Sequence, residues 1–175
     1  MTTDPRSLNL TTNPWMTDSR VYNLVWLGRW MERADNVLRA IDSAALLALD
    51  ASESETSFRR NIKKVAAGLG ASAKSDGDIL ESLLRTHENT GVLRSTERAR
   101  NNANEVAPLE LIQALNQLIT ALNAVKLPLT DPDEIHKQMT ELLTHMSHAF
   151  SVVETKWFRR EALSQEEVYR RFVQQ

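Results

Sequence analysis

The residue types able to do chemistry fall in two short stretches. Arg29, Glu32, Arg33 and Asn36 form the first. On a helix their spacing places all four within one sector of roughly 100°. Two forked guanidiniums beside a carboxylate suit a carboxylate or phosphate ligand. Glu97, Arg100 and Asn101 form the second stretch, with similar types. Three readings are open at this point. The residues form a solvated face with local ion pairs, each contributing about 0.2–0.5 kcal/mol. Or the two stretches meet in a partly buried charged network, where losing one partner costs roughly 3–5 kcal/mol. Or they form a ligand or catalytic site.

Other chemistries have less support. Glu141, His145 and His148 are neighbours at helical spacing, with Val152 beside them, and two neutral imidazoles suit a metal. The paired Glu-x-x-His ligands of di-iron bundles are absent, so no metal is expected. His87 and His136 fall at or near expected helix ends and carry no partner signal. No nucleophile-elbow pattern accompanies the serines, so no catalytic residue is assigned. No phosphate-binding glycine loop is present, so no nucleotide cofactor is expected. The absence of cysteine excludes disulfides and thiolate ligands. Trp157-Phe158-Arg159-Arg160 and Tyr169-Arg170-Arg171-Phe172 interleave aromatic rings with arginines. Glu154, Glu161, Glu166 and Glu167 neutralise them, so a packed helical terminus is expected rather than a nucleic-acid surface.

These residues need helices to position them. The chain has 175 residues, the size of one domain, with 21 Lys+Arg against 23 Asp+Glu. Five glycines and five prolines are too few for a turn-rich all-β fold. Residues 1–17 read as a flexible polar tail, leaving 18–175 as the domain. From about Ser19 to Asp50 no proline interrupts the chain. There Leu24, Leu27, Met31, Ala34, Leu38, Ile41, Ala45 and Ala48 recur at alternating spacings of three and four. This is a heptad-type apolar stripe on a helix about 48 Å long. Asp18 and Ser19 offer its N-cap oxygens. Trp26, Trp30 and Val37 widen the stripe on one flank. Gly28 offers a place for another helix to approach closely.

Shorter helices are expected over about 58–69, 77–88 and 92–106, with Asp50 to Ser57 a solvated loop and Ser75 with Asp78 a capping box. Pro108 opens a helix to Lys126, with Leu111, Ile112, Leu115, Leu118, Ile119 and Leu122 on one face. Asp131-Pro132-Asp133-Glu134 is a strong start signal: Asp131 caps, Pro132 fits the first turn and Glu134 reaches back. The helix from 132 to about 162 carries Ile135, Met139, Leu142, Met146, Ala149, Val153 and Trp157 on one face. A short terminal helix is expected near 165–172. The fold class is therefore all-α, an elongated bundle of about six or seven helices. The polar N-terminus lacks an apolar signal core and no spanning apolar run occurs, so a cytoplasmic location and no membrane partner are expected.

The run Ser19-Arg20-Val21-Tyr22-Asn23-Leu24-Val25-Trp26-Leu27-Gly28-Arg29-Trp30-Met31-Glu32-Arg33-Ala34-Asp35-Asn36 resembles the opening helix of the alpha-E domain family. That pattern has a Ser-Arg start, an aromatic-Leu-Gly-Arg core and a Glu-Arg-Ala-acid-Asn end. Leu93-Arg94-Ser95-Thr96-Glu97-Arg98-Ala99-Arg100 is similar to the family's Ala-Arg-Glu-Asn-Ala-Arg segment. Thr96 replaces its arginine and Arg98 its asparagine, while Glu97, Ala99 and Arg100 match. Family members are often longer, so the resemblance implies a reduced version or a half. It implies an all-helical domain of unestablished chemistry, associated with circularly permuted ATP-grasp ligases. The leading expectation is a non-catalytic accessory domain whose protein partner is an ATP-grasp-type amide ligase. One rival is an enzyme of amide chemistry using Arg29, Glu32 and Arg33 with Glu97 and Arg100. The other is a homo-oligomeric scaffold dimerising through its long helices.

Overall fold

The computed structural model describes residues 17–51, 53–71, 76–85 and 91–158. All the regular structure among them is helical: α1 (Asp18–Leu49), α2 (Ser54–Gly68), α3 (Asp76–Leu84), α4 (Val92–Val106), α5 (Leu109–Ala124) and α6 (Pro132–Val152). A single π-helical stretch, Val153–Phe158, continues α6.

The apolar stripe of α1 decides the architecture. Leu27, Met31, Ala34, Leu38, Ile41, Ala45 and Ala48 are all buried, joined by Val37 and Ala44. The stripe runs the length of the helix, so no single short helix can cover it. Its N-terminal half, Leu27 and Met31, packs with Ala99 and Ala103 of α4, Leu111 and Leu115 of α5, and Ala149 and Val152 of α6. Its C-terminal half packs with Val92, Leu118, Leu122, Ile135 and Met139. Successive long helices therefore alternate in direction. α1 packs on α4, α4 on α5, α5 on α6 and α6 on α1, closing an antiparallel four-helix bundle. α2 and α3 lie between α1 and α4 in the chain and close one end of the core with Phe58, Ile62, Leu80, Leu83 and Leu84.

The ends of the helices follow local chemistry. Thr17, rather than Asp18 or Ser19, caps α1, its Oγ1 accepting from the Arg20 N–H at 3.2 Å. Asp18 falls inside the first turn, where its charge suits the helix N-terminus. α2 starts at Ser54, four residues before the expected start at Phe58. The Ser/Glu run belongs to its first turn, and Glu55 pairs with Arg59 at 2.6 Å. Gly70, at φ 68°, ends α2: its N–H reaches Ala67 O while that of Ala71 reaches Ala66 O. This left-handed residue closes a Schellman turn, which glycine adopts without Cβ strain. α3 ends at Leu84, and Arg85 Nη2 donates to the carbonyls of Asn123 (3.2 Å) and Val125 at the end of α5.

α5 runs over Leu109–Ala124 with Pro108 at its N-cap, inside the expected bounds. Asp131 caps α6 by accepting from the Asp133 N–H at 3.2 Å. Glu134 does not reach back; its Oε1 accepts from Gln138 Nε2 at 3.2 Å. The α6 stripe departs from the expected one at its end, where Val152 is the buried residue and Val153 half-buried. The tail before Thr17, the Ser75 cap and the terminal helix near 165–172 lie outside the described residues. So does most of the C-terminal arginine–aromatic run.

Candidate functional site

The two polar stretches lie on facing helices. Ala34 on α1 and Ala99 on α4 are fully buried, and such small side chains let the two helices approach closely. Around them the pattern Glu-Arg-Ala-x-Asn occurs twice, as Glu32-Arg33-Ala34-Asp35-Asn36 and as Glu97-Arg98-Ala99-Arg100-Asn101. This recurrence was legible in the sequence and is the signal that a residue-by-residue reading misses.

Arg29, Glu32, Arg33 and Asn36 are exposed, as is Asn101, while Glu97 and Arg100 are half-buried. Among the described residues no hydrogen bond or ion pair joins the first group to the second. Glu97 pairs with Arg94 of its own helix at 3.4 Å. Arg100 Nη2 donates to Asn101 Oδ1 at 3.1 Å. Asp35 accepts from Arg39 Nε at 2.8 Å, and this bond and its charge hold the Arg39 guanidinium protonated more firmly than usual. Asp35 Oδ1 and Arg100 Nε, at matching places in the two pentapeptides, are buried without a hydrogen-bond partner.

What joins the two stretches is Trp30. The Arg33 guanidinium lies over its ring at 5.7 Å, and that of Arg98 over the same ring at 4.6 Å. Both arginines of the repeated Glu-Arg pair thus converge on one half-buried indole. The rings continue outward along α1. Trp26 stacks on Trp30 at 5.5 Å, Tyr22 sits 6.0 Å from Trp26, and Arg29 lies over Trp26 at 5.6 Å. The i, i+4, i+8 spacing of Tyr22, Trp26 and Trp30 produces this ladder. Each cation–ring contact contributes about 0.5–1 kcal/mol when exposed, and more when desolvated. Arg98, absent from the sequence-derived site, is the residue that ties α4 to it.

Other expectations fare differently. Among the described residues no helix is seated on Gly28: it is exposed, and a Cβ there would meet nothing within 4 Å. His136 does have a partner, Asp42, with Nδ1 to Oδ1 at 2.6 Å across α6 and α1. The two are 94 residues apart in sequence, so no local pattern reveals the pair. His145 is half-buried and His148 exposed on α6. No group of three or more potential metal ligands gathers among the described residues. A small cleft of about 80 Å³ lies between Phe58, Ile62, Leu80 and Leu129, at the other end of the bundle from Trp30. No helix among the described residues is long and apolar enough to cross a membrane.

The fold and this surface define an antiparallel all-α bundle whose first helix displays a ladder of aromatic rings and guanidiniums. Residues 18–164 match a family described as a predicted alpha-helical domain with a conserved ER motif, a dipeptide this chain carries at 32–33 and again at 97–98. The chain belongs to this Alpha-E family. No curated protein and no solved structure matches it.

Proposed function

We propose that the chain is a non-catalytic helical partner domain acting with an ATP-grasp-type amide ligase in peptide synthesis or modification. The observation that supports this is the ring–guanidinium ladder of Tyr22, Trp26, Trp30, Arg29, Arg33 and Arg98. Trp, Tyr and Arg are the side chains that concentrate binding energy at protein interfaces. Stacked along one helix, they form a rigid surface that loses little rotamer freedom on docking. The outward placement of Arg29, Glu32 and Arg33 suits a surface contact better than a reaction shielded from water. The choice of an ATP-grasp ligase as partner follows the family's association with such enzymes.

The test is affinity capture of the full chain from its native host, with mass spectrometry of the co-purifying proteins. The reading expects an ATP-grasp-type ligase recovered above an unrelated helical bait. A capture under gentle conditions that yields no such enzyme contradicts it.

A further inference from the structure

α1 packs inward on α2, α4 and α6, and its outward side carries exposed apolar side chains at both ends. Of the large apolar side chains exposed among the described residues, all but Leu109 lie on α1. They gather at its two ends: Val21, Tyr22 and Val25 near the start, Leu46, Leu47 and Leu49 near the finish. Val25 is 50% exposed, Leu46 43% and Leu47 72%.

The outer stripe has a symmetry of its own. Val21, Val25, Gly28, Glu32, Asn36, Arg39, Ser43, Leu46 and Asp50 are all exposed and recur at spacings of three and four. They follow one seam of the helix surface, opposite the buried stripe. Val25 and Leu46, Gly28 and Ser43, and Glu32 and Arg39 each have residue numbers totalling 71. Two antiparallel copies of α1 crossing between Asp35 and Asn36 therefore set Val25 against Leu46 and Glu32 against Arg39, each twice. A two-fold interface requires this: residue i meets j, and j meets i. About two turns from the crossing the small residues Gly28 and Ser43 face each other, and no Cβ at Gly28 holds a partner off. Arg39 uses Nε for Asp35 and keeps its terminal nitrogens for a second carboxylate.

We propose that a second copy of this chain docks on this face, forming an antiparallel dimer through α1 with Glu32 of each copy paired to Arg39 of the other. The inference stands independently of the ligase reading. Trp26 and Trp30 lie roughly 120–160° round the helix from the seam, on the side of α1 that meets α4, so the dimer leaves the ring–guanidinium ladder free and displays it twice. A bivalent surface of this kind strengthens binding to a partner with two matching sites without any new contact.

The test measures dimerisation of the full chain by light scattering across a wide concentration range. The wild type is expected to dimerise. Glu32→Arg alone and Arg39→Glu alone, each setting like charges together, weaken dimerisation by about tenfold or more, and the double exchange recovers it. The chain has no cysteine, so engineered ones report geometry directly. Asn36→Cys is expected to oxidise to a covalent dimer, and Asn116→Cys, exposed on α5, to form no disulfide cross-link. A mixture of Val25→Cys and Leu46→Cys chains cross-links, while neither chain does so alone. A monomer at every concentration overturns the proposal. So does cross-linking of Val25→Cys to itself, which signals parallel pairing, or cross-linking of Asn36→Cys no faster than Asn116→Cys.

Discussion

The Arg98 guanidinium, carried on α4, lies 4.6 Å from the centre of the Trp30 ring on α1. It is the link between the two Glu-Arg dipeptides, because Arg33 rests on the same ring from its own helix. The two Glu-Arg dipeptides of α1 and α4 thus meet at an aromatic ring.

That contact couples Trp30 to Arg98. A double-mutant cycle of Trp30→Ala and Arg98→Ala, followed by urea denaturation, is expected to give an interaction of about 0.5–2 kcal/mol. Additive losses mean that the ring and the guanidinium merely lie near each other. Arg98 makes a further interaction, which the cycle removes from the comparison.

The alanines of the repeated pentapeptide set how closely α1 and α4 pack. Ala34→Leu and Ala99→Leu force extra volume into fully buried positions. Each is expected to destabilise by about 1–3 kcal/mol. Thermal unfolding followed by circular dichroism measures it, and an unchanged midpoint rules out tight packing there.

Gly28 gives a prediction of opposite sign to the sequence expectation. A helix seated on Gly28 would make any side chain there destabilising. With open space around it and a helical backbone, Gly28→Ala is expected to stabilise by about 0.5–1 kcal/mol. Denaturation at low protein concentration checks this on the monomer.

His136 and Asp42 fasten the start of α6 to α1. Both are partly buried, so their hydrogen bond is expected to contribute about 1 kcal/mol. His136→Ala and Asp42→Ala should each lose about that much in chemical denaturation, and the double variant little more than either. Losses that add instead mean that the two side chains act independently.

The inner stripe of α1 was readable because period and burial coincide: every residue from Leu27 to Ala48 that the heptad selects is buried. Asp131 and Pro132 marked the start of α6 for the same local reason. The failures are where a neighbour decides. Gly28 is read from sequence as a contact because glycine often is one, but no described helix packs on that side of α1. The start of α2 was hidden because serines and glutamates suit a loop and a first helical turn equally. His136 and Asp42 meet only once α6 folds back on α1. Of the ladder, Arg29 and Arg33 stand out in the sequence by type and spacing, whereas Trp26 and Trp30 read there only as widening the apolar stripe and Tyr22 carries no signal. Arg98 was passed over because its role depends on Trp30, a side chain of another helix.

The ladder's proposed role as a docking surface is tested most directly by parallel affinity captures. Wild type, Tyr22→Ala, Arg33→Ala and a control Lys64→Ala are compared; each altered residue is exposed, so the bundle is preserved. Recovery of the ligase is expected to fall about tenfold or more for Tyr22→Ala and Arg33→Ala and to hold for Lys64→Ala. Equal recovery from all four baits contradicts it.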